Sequence, residues 1–346
     1  MARIVIAGAG AVGASIAYHL ALLGADDVVL AERDTVASGA TGKAMGGFRQ
    51  QFSTEAEVRL ARESAKLFRE LGSPLFDAVG YMFLATSEDG WARLRARAEM
   101  QRGLGVPVDE VDPASVRGLR TEDVVGAVAC WEDGVAEPAA VTTELVRRAA
   151  GLGVDVQEHT NALDVRHDVL VVACGATSAE LVPGLPIRPL CRQLVDVGPL
   201  DELPHDLPMT IEDETTFHFR RRGDTLRLAM TEPRPRWTHE EVVDGRLVTD
   251  WRARLAHRFP PAADAAVVRA WAGLYDMTPD AHPVIGPAAD GVYVACGFSG
   301  HGFMQSPAVG DAVAHELLGL EPPVDLAPYR LERFADGAVF PEQVVL

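Results

Sequence analysis

Arg3-Ile4-Val5-Ile6-Ala7, then Gly8-Ala9-Gly10-Ala11-Val12-Gly13, then an Ala/Leu-rich segment ending at Gly24, and finally Val28-Val29-Leu30-Ala31-Glu32 decide the fold. The stretch reads as strand, tight turn, helix, strand. Gly8 lets the chain turn, Gly10 lets the backbone approach a pyrophosphate, and Gly13 lets the helix pack close to the strand, so the helix start presents unpaired N–H groups to phosphates. Glu32 follows about twenty residues after the glycines, where a carboxylate at a strand end accepts hydrogen bonds from a ribose diol. Ile16, Leu20 and Leu23 recur at helical spacing with Ala14, Ala17 and Ala21 between them, as a helix packed on a sheet requires. The stretch is read as an adenine dinucleotide site. Ile4 to Ala25 carries no Asp, Glu, Lys or Arg and has the length of a membrane span, but its glycines, its His19 and the strand that follows argue against a span and against a signal peptide.

The 346 residues, 48% of them hydrophobic, suffice for one large domain or two intertwined ones. A formal charge of -18 repels nucleic acid and anionic membrane, leaving small molecules as the expected partners. Cys130, Cys174, Cys191 and Cys296 are far apart and form no C-x-x-C, so no metal site and no disulfide framework is expected. A reducing, cytoplasmic setting follows from that cysteine usage and from the lack of a recognisable targeting segment.

Beyond Glu32, the loop Ala37-Ser38-Gly39-Ala40-Thr41-Gly42-Lys43-Ala44-Met45-Gly46-Gly47 is too rich in small residues for a core and suits an extended ligand. Thr54 with Glu57 predicts a capping box for a helix to Leu71. From Gly80 the pattern changes to strands such as Tyr81–Thr86 and Val124–Trp131 around a charged helix, Trp91–Arg102. The unbroken apolar run Asp168–Ala173 predicts a central parallel strand. Antiparallel strands are read again across 188–264, including Thr216–Arg220 and Leu226–Met230. Near the C-terminus, strand Val292–Cys296, the turn Gly297-Phe298-Ser299-Gly300-His301-Gly302-Phe303 and a helix from Pro307 to Leu318 repeat the opening logic.

The opening motif, Glu32, the loop Gly46-Gly47-Phe48-Arg49-Gln50-Gln51-Phe52, the segment Trp271-Ala272-Gly273-Leu274-Tyr275-Asp276-Met277-Thr278-Pro279-Asp280 and Gly297-Phe298-Ser299-Gly300-His301-Gly302-Phe303-Met304 together resemble the D-amino-acid-oxidase-like superfamily of FAD enzymes. The nearest branches are the sarcosine oxidases and the dimethylglycine or proline dehydrogenase β-subunits, with glycine oxidase as a relative. The resemblance implies an α/β plus α+β architecture. A glutathione-reductase-like, Rossmann-type FAD-binding domain (1–79, 139–187 and 265–346) would interleave with a substrate domain built around an antiparallel sheet (80–138 and 188–264). It also implies oxidation of an amine C–N bond by hydride transfer to the flavin. The substrate class it suggests is a secondary or N-substituted amino acid, such as sarcosine or an N-carboxymethyl amine. The alternatives are a glycine or D-amino-acid oxidase acting on a primary amine, and the flavin subunit of a multi-subunit dehydrogenase.

Residue by residue, the resemblance gives Gly8, Gly10 and Gly13 to the pyrophosphate, Glu32 with its neighbour Arg33 to the adenosine, and Ser38, Gly39, Ala40 and Thr41 to the middle of FAD. Ala162 falls to the adenine and Ala173, Cys174 and Gly175 to the nucleotide half. Gly300, His301, Gly302, Phe303 and Met304 fall to the pyrimidine edge of the flavin, where a helix N-terminus favours the negative charge of reduced flavin. Arg49 matches the arginine that pairs with the substrate carboxylate, and Tyr275 stands second in that role. His218, over the flavin, reads equally as a pocket residue or as a structural histidine. His301 is expected to serve its turn and His282 to lie in an exposed loop. Met304 stands where sarcosine oxidases carry a lysine, Gly273 where they carry a flavin-linking cysteine, and Lys43 where dimethylglycine dehydrogenases carry a flavin-linking histidine, so FAD is expected to be non-covalent. No lysine lies near Arg227, the place of the oxygen-activating lysine, which leaves oxygen or another electron acceptor open, a partner subunit among them.

Overall fold

The computed structural model describes residues 2–201 and 203–346. A six-stranded sheet is built in the order Val284–Ala289, Val292–Cys296, Val169–Val172, Ile4–Ala7, Val28–Ala31, Asp155–Gln157. All its pairings are parallel except the Val284–Ala289 edge. Val169–Val172 runs between Ile4–Ala7 and Val292–Cys296, as its continuous apolar run predicted. The Ala11–Leu22 helix is buried on nearly every side, because it lies between the sheet and the Gly302–Leu317 helix. Those two helices touch at Gly310, where a Cβ would come within 2.2 Å of Ser15 Oγ. Such close packing brings their N-termini to one place.

An eight-stranded sheet follows the order Val267–Met277, Arg188–Val197, Thr225–Ala229, His218–Arg222, Met209–Glu212, Tyr81–Ala85, Gly126–Cys130, Val108–Val111. It is antiparallel apart from the Met209–Glu212 and Tyr81–Ala85 pair. Gly47–Phe48, Gly134–Ala136 and Phe76–Asp77 form a small third sheet between the larger ones.

Three expectations are corrected. Val267–Met277, placed with the nucleotide-binding portion beginning at 265, is an edge strand of the eight-stranded sheet, paired with Arg188–Val197 along its length. The last long helix starts at Gly302, and Pro307 lies inside it. Proline removes a helical N–H, and Ser306 Oγ instead donates to Phe303 O at 2.9 Å while Ser64 Oγ donates to Gln305 O and accepts from Ala308 N, each at 3.2 Å. The capping box is half formed: Thr54 Oγ1 accepts from Glu57 N, but the Glu57 carboxylate turns inward to Gln305 Nε2 and to His282 Nδ1.

Candidate active site

Gly8 adopts φ +102°, a conformation open to glycine, and a Cβ there would meet Ala173 O at 2.7 Å. Gly8 N donates to Ala31 O, and Ala9 N donates to Glu32 Oε2 at 2.8 Å. Glu32 Oε1 accepts from Asp34 N at 2.9 Å. The carboxylate is thus fixed by two backbone N–H groups while facing the cavity. Thr41 Oγ1 accepts from Ala11 N at 3.0 Å, tying the small-residue loop to the start of the first helix. Gly13 does not line the cavity; a Cβ on it would come within 1.9 Å of Gly8 O, so its work is packing rather than ligand contact.

A single cavity of about 510 Å³ begins at this cradle and continues to the roof formed by the eight-stranded sheet. Its cradle end is lined by Gly8, Gly10, Glu32 and Arg33, and the adjoining loop adds Ser38, Gly39, Ala40 and Thr41. Ala162, Ala173, Cys174 and Gly175 complete this part. Burial pushes the Cys174 thiol up to about 11, so it stays protonated at neutral pH. Gly300, His301, Gly302, Phe303 and Met304 line the same cavity, so both helix N-termini open onto it. Gly300, at φ +95°, is demanded by Tyr275, whose ring atom Cε2 would lie 2.3 Å from a Cβ there. The turn is held from behind by Asp276, which accepts from Gly297 N at 2.7 Å, and by Ser299 Oγ, which accepts from Thr278 N at 3.1 Å.

The far end gathers Arg49, Arg192, His218 and Tyr275. Arg49 is fully buried, with Cζ 4.3 Å from the Phe52 ring centroid and 5.8 Å from that of Phe83. Its Nη1 donates to Gln51 O at 3.0 Å, and its Nη2 donates to Val344 O at 2.5 Å and lies 3.4 Å from His301 Nε2. Tyr275 OH donates to Leu346 O at 2.9 Å. The two residues expected to take a substrate carboxylate are therefore engaged by the 344–346 segment. Burial and then the positive charges of Arg49 and Arg192 push the His218 imidazole down to about 4. Its Nδ1 lies 2.7 Å from Thr216 O; a neutral ring so placed carries its proton on Nδ1 and offers Nε2 as an acceptor.

His282, expected in an exposed loop, is fully buried, with Nε2 2.6 Å from Phe340 O and Nδ1 3.0 Å from Glu57 Oε1. The Asp280-Ala281-His282-Pro283 turn has the composition of a surface loop, but Glu57 from a distant helix covers it. Lys43 pairs with Glu241 at 2.6 Å, both at the cavity wall. Arg192, which the sequence reading passed over, had one available signal: it alternates with Leu190 and Leu194 along a strand and so shares a face with them.

The residues fit a flavin dinucleotide. The glycine cradle leaves room where side chains would intrude, first-turn N–H groups of two helices face one cavity, and Glu32 stands at one end. No helix among the described residues is long and apolar enough to cross a membrane.

The chain is 30% identical to the bovine FAD-dependent oxidoreductase domain-containing protein 1, over 99% of this chain and 87% of that protein. It is 28% identical to glycine oxidase of Geobacillus kaustophilus, over 95% and 96% of the two chains. With human mitochondrial sarcosine dehydrogenase it shares 25% identity over 96% of this chain, which spans 41% of that longer protein. Among solved structures, L-proline dehydrogenase from P. horikoshii superposes with a TM-score of 0.89 at 26% identity, covering 97% of this chain and 98% of the other. The model of the DAO family, described as FAD dependent oxidoreductase, matches residues 3–316, and the chain belongs to that family.

Proposed function

We propose that the chain oxidises the C–N bond of a secondary or N-substituted amino acid, with FAD held non-covalently. Sarcosine-like and N-carboxymethyl amines are the substrate class. The observation that carries this reading is the continuity of the cavity: the nucleotide cradle at one end and a cationic chamber holding His218 and Tyr275 at the other. Bound FAD supplies the two-electron acceptor.

The protein's own part is to present the substrate as a free amine. An ammonium entering a buried chamber that already holds the positive charges of Arg49 and Arg192 is disfavoured, and the neutral amine with its lone pair is favoured. His218 Nε2 accepts a hydrogen bond from the amine N–H and so orients it. The sheet roof and the aromatic pair Phe52 and Phe83 exclude water from the Arg49 side. Glu32 and the glycine cradle anchor the far end of the cofactor, so positioning carries much of the rate. The imine product is hydrolysed by water to a carbonyl compound and a smaller amine.

Anaerobic mixing of the FAD-loaded protein with a series of amines tests this directly. Sarcosine, N-alkyl glycines and proline are expected to bleach the flavin absorbance faster than glycine or D-alanine. Faster bleaching by the primary amines would turn the assignment to a glycine or D-amino-acid oxidase, the reading favoured by likeness to glycine oxidase.

A further inference from the structure

Among the described residues, Arg192 is a cation of the cavity wall with buried nitrogens left unsatisfied. Its Nε and Nη1 are buried without a hydrogen-bond partner, and its guanidinium makes no ion pair among the described residues. Its neighbour is the ring of Tyr275, 5.7 Å from Cζ to the centroid. Across the sheet it pairs with Gly273, over which the stem of Lys43 lies, its Cβ 3.0 Å from where a glycine Cβ would stand, so the free side of Arg192 is the one toward Tyr275. The carboxylates that could have neutralised it are committed elsewhere: Glu241 to Lys43, and Asp276 to Gly297 N. Arg49 differs in that both its Nη nitrogens already bind backbone oxygens, which leaves only its Nε without a partner. Guanidinium nitrogens buried without a partner are costly unless an anion arrives to meet them.

We propose that Arg192, rather than Arg49, is the anion receptor of this chamber and takes the carboxylate of the amino-acid substrate in the cavity beside Tyr275. This rests on the amino-acid reading above, and it makes an anionic amine, rather than a neutral or cationic one, the preferred substrate. Arg49 then holds the 344–346 segment and contributes charge without contact.

The test uses the FAD-loaded full chain and a carboxylate that cannot be oxidised at nitrogen, pyrrole-2-carboxylate, with its primary amide as control. Binding is read from the shift of the oxidised flavin spectrum. Wild type is expected to bind the carboxylate about a hundredfold more tightly than the amide. Arg192→Gln should weaken carboxylate binding about a hundredfold. Arg192→Lys should weaken it about tenfold, because an ammonium keeps the charge but loses the planar fork. Retention of FAD should be unchanged in both. Equal binding of carboxylate and amide by wild type overturns the proposal, and needs no variant to fold. Wild-type carboxylate affinity in Arg192→Gln overturns it as well. So does loss of FAD from both variants, which would make the cofactor the partner of the arginine. A flavin that responds to the carboxylate through Arg192 but is bleached by no amine would support the receptor while removing the amine-oxidation reading, so the two fail separately.

Discussion

Gly13 and Glu32 belong to one strand–helix–strand unit, yet substitution separates what they do. A methyl group on Gly13 would sit 1.9 Å from Gly8 O, backbone against backbone. Gly13→Ala is expected to destabilise the apoprotein by about 3 kcal/mol or more, seen in urea unfolding without FAD. Glu32→Ala should instead weaken FAD binding by about ten- to a hundredfold, measured by flavin fluorescence titration, with a smaller loss in apoprotein stability. Gly8, Gly10 and Glu32 were legible because each obeys a local rule of spacing, and Tyr275 because its segment resembles that of a known family; the structure places all four at the cavity wall. Arg192 and His282 were not, because what defines them is their surroundings. One is marked by lacking a partner and the other by a carboxylate 225 positions away in sequence.

At the level of elements, alternation and helical spacing identified most of the strands and helices around the cavity, and failures came where tertiary bonds replaced local ones. A proline is ordinarily read as a first-turn residue. Here Ser306 and Ser64 supply the bonds that let a helix begin five residues before Pro307. That early start is what carries Gly302, Phe303 and Met304 to the cavity on a helix N-terminus. Ser64→Ala removes the bonds to Gln305 O and Ala308 N. It is expected to cost about 1–3 kcal/mol in thermal or urea unfolding, with FAD present or absent. The Val267–Met277 strand was misplaced for a related reason: its motif lines the cavity, but its hydrogen bonds belong to the other sheet.

On the scale of the whole molecule, the short loop that carries Arg49 leads from the small third sheet to the Glu55–Leu71 helix, and Asp133 fastens it. The Asp133 carboxylate is fully buried and accepts from Gln50 N and Gln50 Nε2 at 2.9 Å each, and from Gln51 Nε2 at 3.3 Å. Burial outweighs these bonds and lifts its pKa from 3.8 to about 6. Between those values the native state holds a proton that the unfolded chain has released, so stability from this group is present at low pH and is lost as pH rises toward 6. The loss amounts to at most ~3 kcal/mol and levels off above the folded-state pKa. Asp133→Asn removes the titration. Its stability relative to wild type should therefore improve steadily from pH 4 to pH 7 in paired urea melts, and a difference that stays flat across that window would contradict the assignment.

The hold of the 344–346 segment on Arg49 and Tyr275 uses main-chain oxygens alone. Every amino acid brings the same main-chain oxygen, so drift at positions 344 and 346 leaves this wall chemically constant. Only rerouting or shortening the backbone there can remodel it. The innermost boundary of the chamber is thus inherited as a path of the chain rather than as a set of letters.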